Sequence, residues 1–92
     1  MKGDMKTITI RVTADHIARG KRSDALYCPL ALAAQDAGLT EPHVASCALY
    51  WGGGYGIVLP LFVQDFIGWF DRGDAVAPFE FDLDLPDAGG AQ

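Results

Sequence analysis

The spacing of hydrophobic positions changes twice along the chain. From Lys6 to Val12 the segment KTITIRV sets Ile8, Ile10 and Val12 against Thr7, Thr9 and Arg11. A period of two built from β-branched residues predicts a half-buried strand. The same period returns between Pro78 and Leu85, where Phe79, Phe81, Leu83 and Leu85 alternate with Glu80, Asp82 and Asp84. Between the two lies a helical period. Val63, Phe66, Ile67 and Phe70 fall at i, i+3, i+4 and i+7, which predicts a helix with one core-facing stripe, opened by Pro60 and ended by Gly73. Leu61, Phe62 and Trp69 lie on its other faces.

Local signals supply the remaining elements. Thr13 is placed to cap a short helix from Ala14 to Arg19, which Gly20 would end in a left-handed conformation. Lys21 to Tyr27 reads as a loop. Cys28-Pro29 opens a second helix, because proline at the first helical position loses no hydrogen bond. Leu30 to Ala34 are helix formers and Gly38 closes the segment. Leu39 to Pro42 is a connection. Val44 to Trp51 and Tyr55 to Leu59 read as the strands of a hairpin with a glycine tip at 52–54. The order β-α-α-β-β-α-β predicts a small single α+β domain over residues 1–92, an antiparallel sheet with helices packed on one face. Residues 86–92 are expected to form a flexible C-terminal tail.

Composition narrows the class. Ninety-two residues leave room for one core, and 50% apolar with 21% charged residues excludes a disordered acidic tail. Two cysteines, Cys28 and Cys47, with no CxxC pairing, read as free thiols, and no secretory signal is visible; both suit a cytoplasmic location. Residues 42–64 carry no charge over 23 positions, which on length alone would span a bilayer. Pro42, Pro60 and the glycine cluster 52–56 would leave broken backbone in lipid, so a hairpin followed by a helix is expected and no membrane partner. Charge is distributed unevenly. Residues 1–22 hold six basic against two acidic side chains, a net of +4, whereas 23–92 hold one against ten, a net of −9. The chain is bipolar, with an overall net charge of −5.

Candidate chemistry is sparse. Cys28 sits where a helix begins, so the positive end of the helix dipole could acidify its thiol; with no partner His placed by local sequence, a small apolar residue beside a helix-starting proline is the favoured reading. His16, Cys28, His43 and Cys47 lack the two close ligand pairs of a structural zinc site. The glycine cluster lacks the Lys-Ser/Thr ending of a phosphate loop. No catalytic motif is present, so neither enzymatic activity nor a cofactor is expected. Arg19, Lys21 and Arg22 flank Gly20 and read either as a contact for phosphates or an acidic protein, or as a solvated basic loop. The acidic balance argues against direct nucleic-acid binding.

Glu80, Asp82 and Asp84 fall on one strand face about 6.6 Å apart, close to two nucleotide steps of about 3.4 Å each. Such a row suits imitation of a nucleic-acid backbone in a basic groove; the same charges also keep an edge strand soluble and unpaired. Trp51 and Trp69, with Tyr50, Leu61 and Phe62, are expected as interface anchors if exposed, or as the contact of a homodimer.

His16-Ile17-Ala18-Arg19-Gly20, Cys28-Pro29-Leu30-Ala31-Leu32-Ala33 and Phe79-Glu80-Phe81-Asp82-Leu83 together resemble a group of small phage and prophage proteins. In that group a strand leads to an H-I-x-x-G turn, then to a C-P-x-A-L-A helix, and the chain ends in a P-F-x-F strand. The resemblance spans most of the chain and assigns no residue a role. It implies a mobile-element origin, and by analogy with small acidic phage inhibitors it suggests an anti-CRISPR protein. The partner expected on these grounds is a host protein complex, such as a CRISPR effector with a basic nucleic-acid groove, met in the bacterial cytoplasm. The alternatives are a thiol-based enzyme or redox module using Cys28, and a phage structural or DNA-contacting regulatory protein.

Overall fold

Strand β1 (Lys6–Val12) and the last strand, β5 (Phe79–Leu85), lie side by side from opposite ends of the described chain. They run antiparallel, with Val12 opposite Phe79 at one end and Lys6 opposite Leu85 at the other. The computed structural model describes residues 6–52 and 54–85; the segment 86–92 read as a tail lies outside them. Between β1 and β5 come α1 (Ala14–Arg19), α2 (Pro29–Asp36), β2 (His43–Val44), β3 (Ala48–Trp51), β4 (Tyr55–Val58) and α3 (Leu61–Arg72). The class is α+β, and the strands divide between two antiparallel sheets: the ribbon β1-β5 and the meander β2-β3-β4.

The second sheet differs from the hairpin that the sequence predicts. The run from Val44 to Trp51 does not continue as one strand but breaks at residues 45–47, where the Ala45 N–H donates to the Ala48 carbonyl at 2.8 Å. Small residues at Ala45, Ser46 and Cys47 permit that tight turn. Folding back gives β3 a hydrogen-bonded neighbour on each side, so its buried backbone is paired on both edges. The free edge of β2 is covered in part by the 21–27 loop, through Val44 N–H to Ala25 O at 2.9 Å.

The core lies between the two sheets and the helices. Ile10 and Val12 from β1, Leu30 from α2, Leu49 from β3 and Val63 from α3 are fully buried. Each such aliphatic side chain contributes roughly 1.5–3 kcal/mol by leaving water. Pro29 stands at the first position of α2, with Cys28 as its cap, and Leu30, Ala31, Ala33 and Ala34 all point inward. The small alanines let α2 lie close against β1 and α1. In α3 the predicted stripe is inward: Val63, Phe66 and Ile67 are buried, and Phe70 packs at the margin. Gly73 ends this helix at φ 88°, the left-handed region that favours glycine.

Gly20 plays a different part from the one expected. Its backbone is extended, φ −70° and ψ 153°, and not left-handed. A Cβ there would lie 2.5 Å from the Pro29 ring, so glycine is required for the close approach of the α1 end to the start of α2.

Candidate functional site

Cross-strand pairing sets the geometry of the outer face of the β1-β5 ribbon. The register places Thr7 opposite Asp84, Thr9 opposite Asp82 and Arg11 opposite Glu80. Each pair is hydrogen-bonded: Thr7 Oγ1 donates to Asp84 at 2.6 Å, Thr9 Oγ1 to Asp82 at 2.7 Å, and Arg11 Nε to Glu80 at 3.0 Å. All six side chains are exposed. The three carboxylates of the acidic row are therefore held in fixed positions by the neighbouring strand. Their charges are unequal in effect. The threonine hydroxyls that hold Asp82 and Asp84 bring no positive charge, while Arg11 compensates Glu80. Asp82 and Asp84 are the negative end of the row, and Glu80 is its neutralised end.

Beside the neutralised end the ribbon borders a cavity of about 300 Å³ lined by Thr9, Arg11, Thr13, His16 and Asp36, together with Ala33 and Ala37. His16 is buried here. Its Nδ1 accepts from the Thr13 N–H at 3.0 Å, and its own N–H donates to Thr13 Oγ1 at 3.2 Å, a reciprocal capping box at the start of α1. Because Nδ1 accepts, Nε2 carries the proton and donates to Asp36 at 2.6 Å. The sequence shows Thr13 as a cap but not its reciprocal partner, because histidine stands where Glu or Gln marks the motif.

The basic residues at the α1 end do not converge. Arg19 pairs with Asp15 one helical turn back at 2.7 Å. Lys21 lies 5.5 Å over the ring of Tyr27. Arg22 reaches the C-terminus of α3, where its guanidinium lies 2.9 Å from the site of a Cβ at Gly73. All three remain exposed, each on a different neighbour, and they form no single cradle for a phosphate.

The two tryptophans separate. Trp51 is 8% exposed, on the inner face of β3 beside Leu49, with its ring stacked on Tyr55 at 5.9 Å. It belongs to the core and offers no anchor to a partner. Strand parity carries that signal, since Trp51 follows the fully buried Leu49 by two positions. Trp69 is 46% exposed on α3. Phe62 is exposed on the same helix with its edge against Phe79 and Phe81. Outside α3, Tyr50 and Val58 are exposed on the outer face of the second sheet.

Cys28 is buried at the start of α2, and its sulfur accepts from the Ala31 N–H at 3.4 Å. Burial pushes its thiol above the ordinary value, and Asp71 and Asp24 push the same way against the hydrogen bonds from Ala31 and Leu30. The dipole expected to acidify it is outweighed by loss of water. Cys47 is exposed in the β2-β3 turn. Among the described residues no three His, Cys, Asp or Glu side chains gather as metal ligands. Gly52 and Gly54 adopt φ 59° and 138° at the hairpin tip, the conformations of a turn. A cavity of about 510 Å³ opens beside β2 and is lined by Leu26, Tyr27, Gln35, Glu41 and His43 among others. Among the described residues no helix is long and apolar enough to cross a membrane. The chain matches no protein-family model, no curated protein and no solved structure.

Proposed function

We propose that the protein is a non-enzymatic inhibitor that binds a host defence complex in the bacterial cytoplasm, of the anti-CRISPR kind, and occupies a basic nucleic-acid groove. One observation carries the reading: Asp82 and Asp84 are exposed and fixed on one strand face by Thr9 and Thr7. Held carboxylates lose little side-chain entropy on meeting a cationic groove, and charge complementarity steers the encounter. Trp69 and Phe62 supply exposed aromatic surface on α3 for affinity. A thiol enzyme draws less support, because Cys28 is buried with its thiol pushed up. Direct DNA contact draws less too, because Arg19, Lys21 and Arg22 are each engaged by a separate neighbour.

The test measures target-DNA binding by a panel of purified CRISPR effectors with and without the protein. Inhibition that target DNA relieves by competition, and that Asp82→Ala with Asp84→Ala weakens at least tenfold while Glu80→Ala weakens it less, is expected. Inhibition untouched by the paired aspartate substitutions overturns the groove contact. No effect on any effector overturns the inhibitor assignment.

A further inference from the structure

The meander β2-β3-β4 has one open edge among the described residues. On the far side β2 is covered in part by the 21–27 loop, but β4 pairs only with β3. Its register fixes which main-chain groups are free. Leu59 N–H donates to Cys47 O at 2.9 Å, one step beyond the Ala48–Val58 pair, so within β4 Tyr55 and Ile57 turn their N–H and C=O toward β3. Alternation then points the N–H and C=O of Gly56 and Val58 outward, to no strand among the described residues.

We propose that this edge pairs with β4 of a second copy, antiparallel and two-fold symmetric about Ile57, so that the two three-stranded sheets become one of six strands. This register sets Gly56 opposite Val58 of the second copy, and it uses all four outward groups of each chain, giving four hydrogen bonds between copies. Side chains fit the same register. A Cβ at Gly56 would lie 2.6 Å from Tyr50 Cδ1, so the Tyr50 ring covers the glycine. No side chain stands in front of the incoming Val58, which meets that ring. Val58 is 71% exposed, and Leu61, at the start of the next helix, is 77% exposed. Both are apolar side chains without cover.

Charge selects a second copy and selects this edge. Residues 42–64 carry no charge, so two chains of net charge −5 meet here without opposing like charges. The ribbon strand β5 behaves oppositely. Antiparallel pairing of β5 with itself about Asp82 would set Asp82 against Asp82 and Glu80 against Asp84, which repels.

Sedimentation equilibrium across about 1 µM to 1 mM protein, with hydrogen exchange resolved by residue, tests the pairing. The expected result is a mass rising from 9.9 kDa to twice that value, with exchange at the Gly56 and Val58 amides slowing at least tenfold as protein concentration rises. Val58→Pro removes a donor that has no partner among the described residues of the single chain, and Val58→Lys places like charges across the two-fold axis. Both variants are expected to keep the wild-type circular dichroism spectrum and to remain at 9.9 kDa. A mass of one chain at 1 mM overturns the proposal. So does a dimer that both substitutions leave intact, or exchange at Gly56 and Val58 that is independent of concentration.

Discussion

His16 and Asp36 join the first two helices: Nε2 of a buried imidazole donates at 2.6 Å to a carboxylate that is itself 65% exposed. The other ring nitrogen completes the cap of α1 with Thr13. One side chain thus closes a helix of six residues, too short to be stable alone, and fastens it to α2. The asymmetry in burial predicts an asymmetry in energy. Removing the imidazole leaves the Thr13 N–H without its acceptor and a void beneath it. Removing the carboxylate leaves a nitrogen at the margin of the cavity that water can reach.

His16→Ala is therefore expected to cost about 2–3 kcal/mol, as loss of a cap and of a buried side chain together. Asp36→Ala is expected to cost about 1 kcal/mol or less. Urea unfolding of the two variants checks this, with equal losses as the contrary outcome.

Across the ribbon, Thr9→Val removes the donor to Asp82 while keeping β-branching and volume. The pair is exposed, so stability is expected to fall by no more than about 1 kcal/mol. A double-mutant cycle with Asp82→Ala is expected to give a coupling of about 0.5 kcal/mol. In the inhibition assay Thr9→Val should weaken binding less than Asp82→Ala, because the charge remains and only its placement loosens. Equal losses would mean that the hydroxyl itself meets the partner.

Gly20→Ala tests a close approach free of backbone strain. The conformation at φ −70° suits any residue, and alanine should even lower the entropy of the unfolded chain. Against that gain, the new methyl would lie 2.5 Å from the Pro29 ring carbons, and Pro29 is locked at the start of α2. A net loss of about 1–3 kcal/mol is expected, as for overpacking in a core. Thermal unfolding of the variant measures it, and a gain in midpoint would show that α1 and α2 can separate without cost.

Period and punctuation made most of the elements legible. Ile8, Ile10 and Val12 mark β1 because their parity is unbroken; Pro60 and Gly73 bracket α3 because each has one conformational use there. The break at Ala45–Cys47 was hidden, since small uncharged residues look alike in a strand and in a tight turn, and only the hydrogen bond from Ala45 to Ala48 tells them apart. For the candidate site, sequence placed Glu80, Asp82 and Asp84 on one face. It did not place Thr7, Thr9 and Arg11 opposite them, because the two strands lie about seventy residues apart and register belongs to tertiary structure. Trp51 misled for a related reason. Nearness to a hairpin tip suggested exposure, while its parity with Leu49 turned it inward.

Cys28 and Cys47 give the last prediction, which is one of rate and pH. Cys47 is exposed and Cys28 buried, with its thiol pushed up by burial and by Asp71 and Asp24. At pH 8 the native protein is expected to react quickly with iodoacetamide at Cys47, and at Cys28 at least tenfold more slowly, a difference that denaturation abolishes. Peptide mass spectrometry against time resolves the two sites. A raised thiol also has a thermodynamic sign. Below about pH 8.5 both the folded and unfolded states hold the proton, and the contribution of this group is intact. Above that value the unfolded state ionises first, so stability falls as pH rises toward the folded-state value, by up to about 1.4 kcal/mol per pH unit. Cys28→Ser keeps a cap for α2 and does not titrate in this range. Its stability should fall less than the wild type's between about pH 8.5 and 10. Rapid modification of native Cys28 at pH 8, or identical alkaline profiles for the two proteins, would restore the reactive-thiol reading.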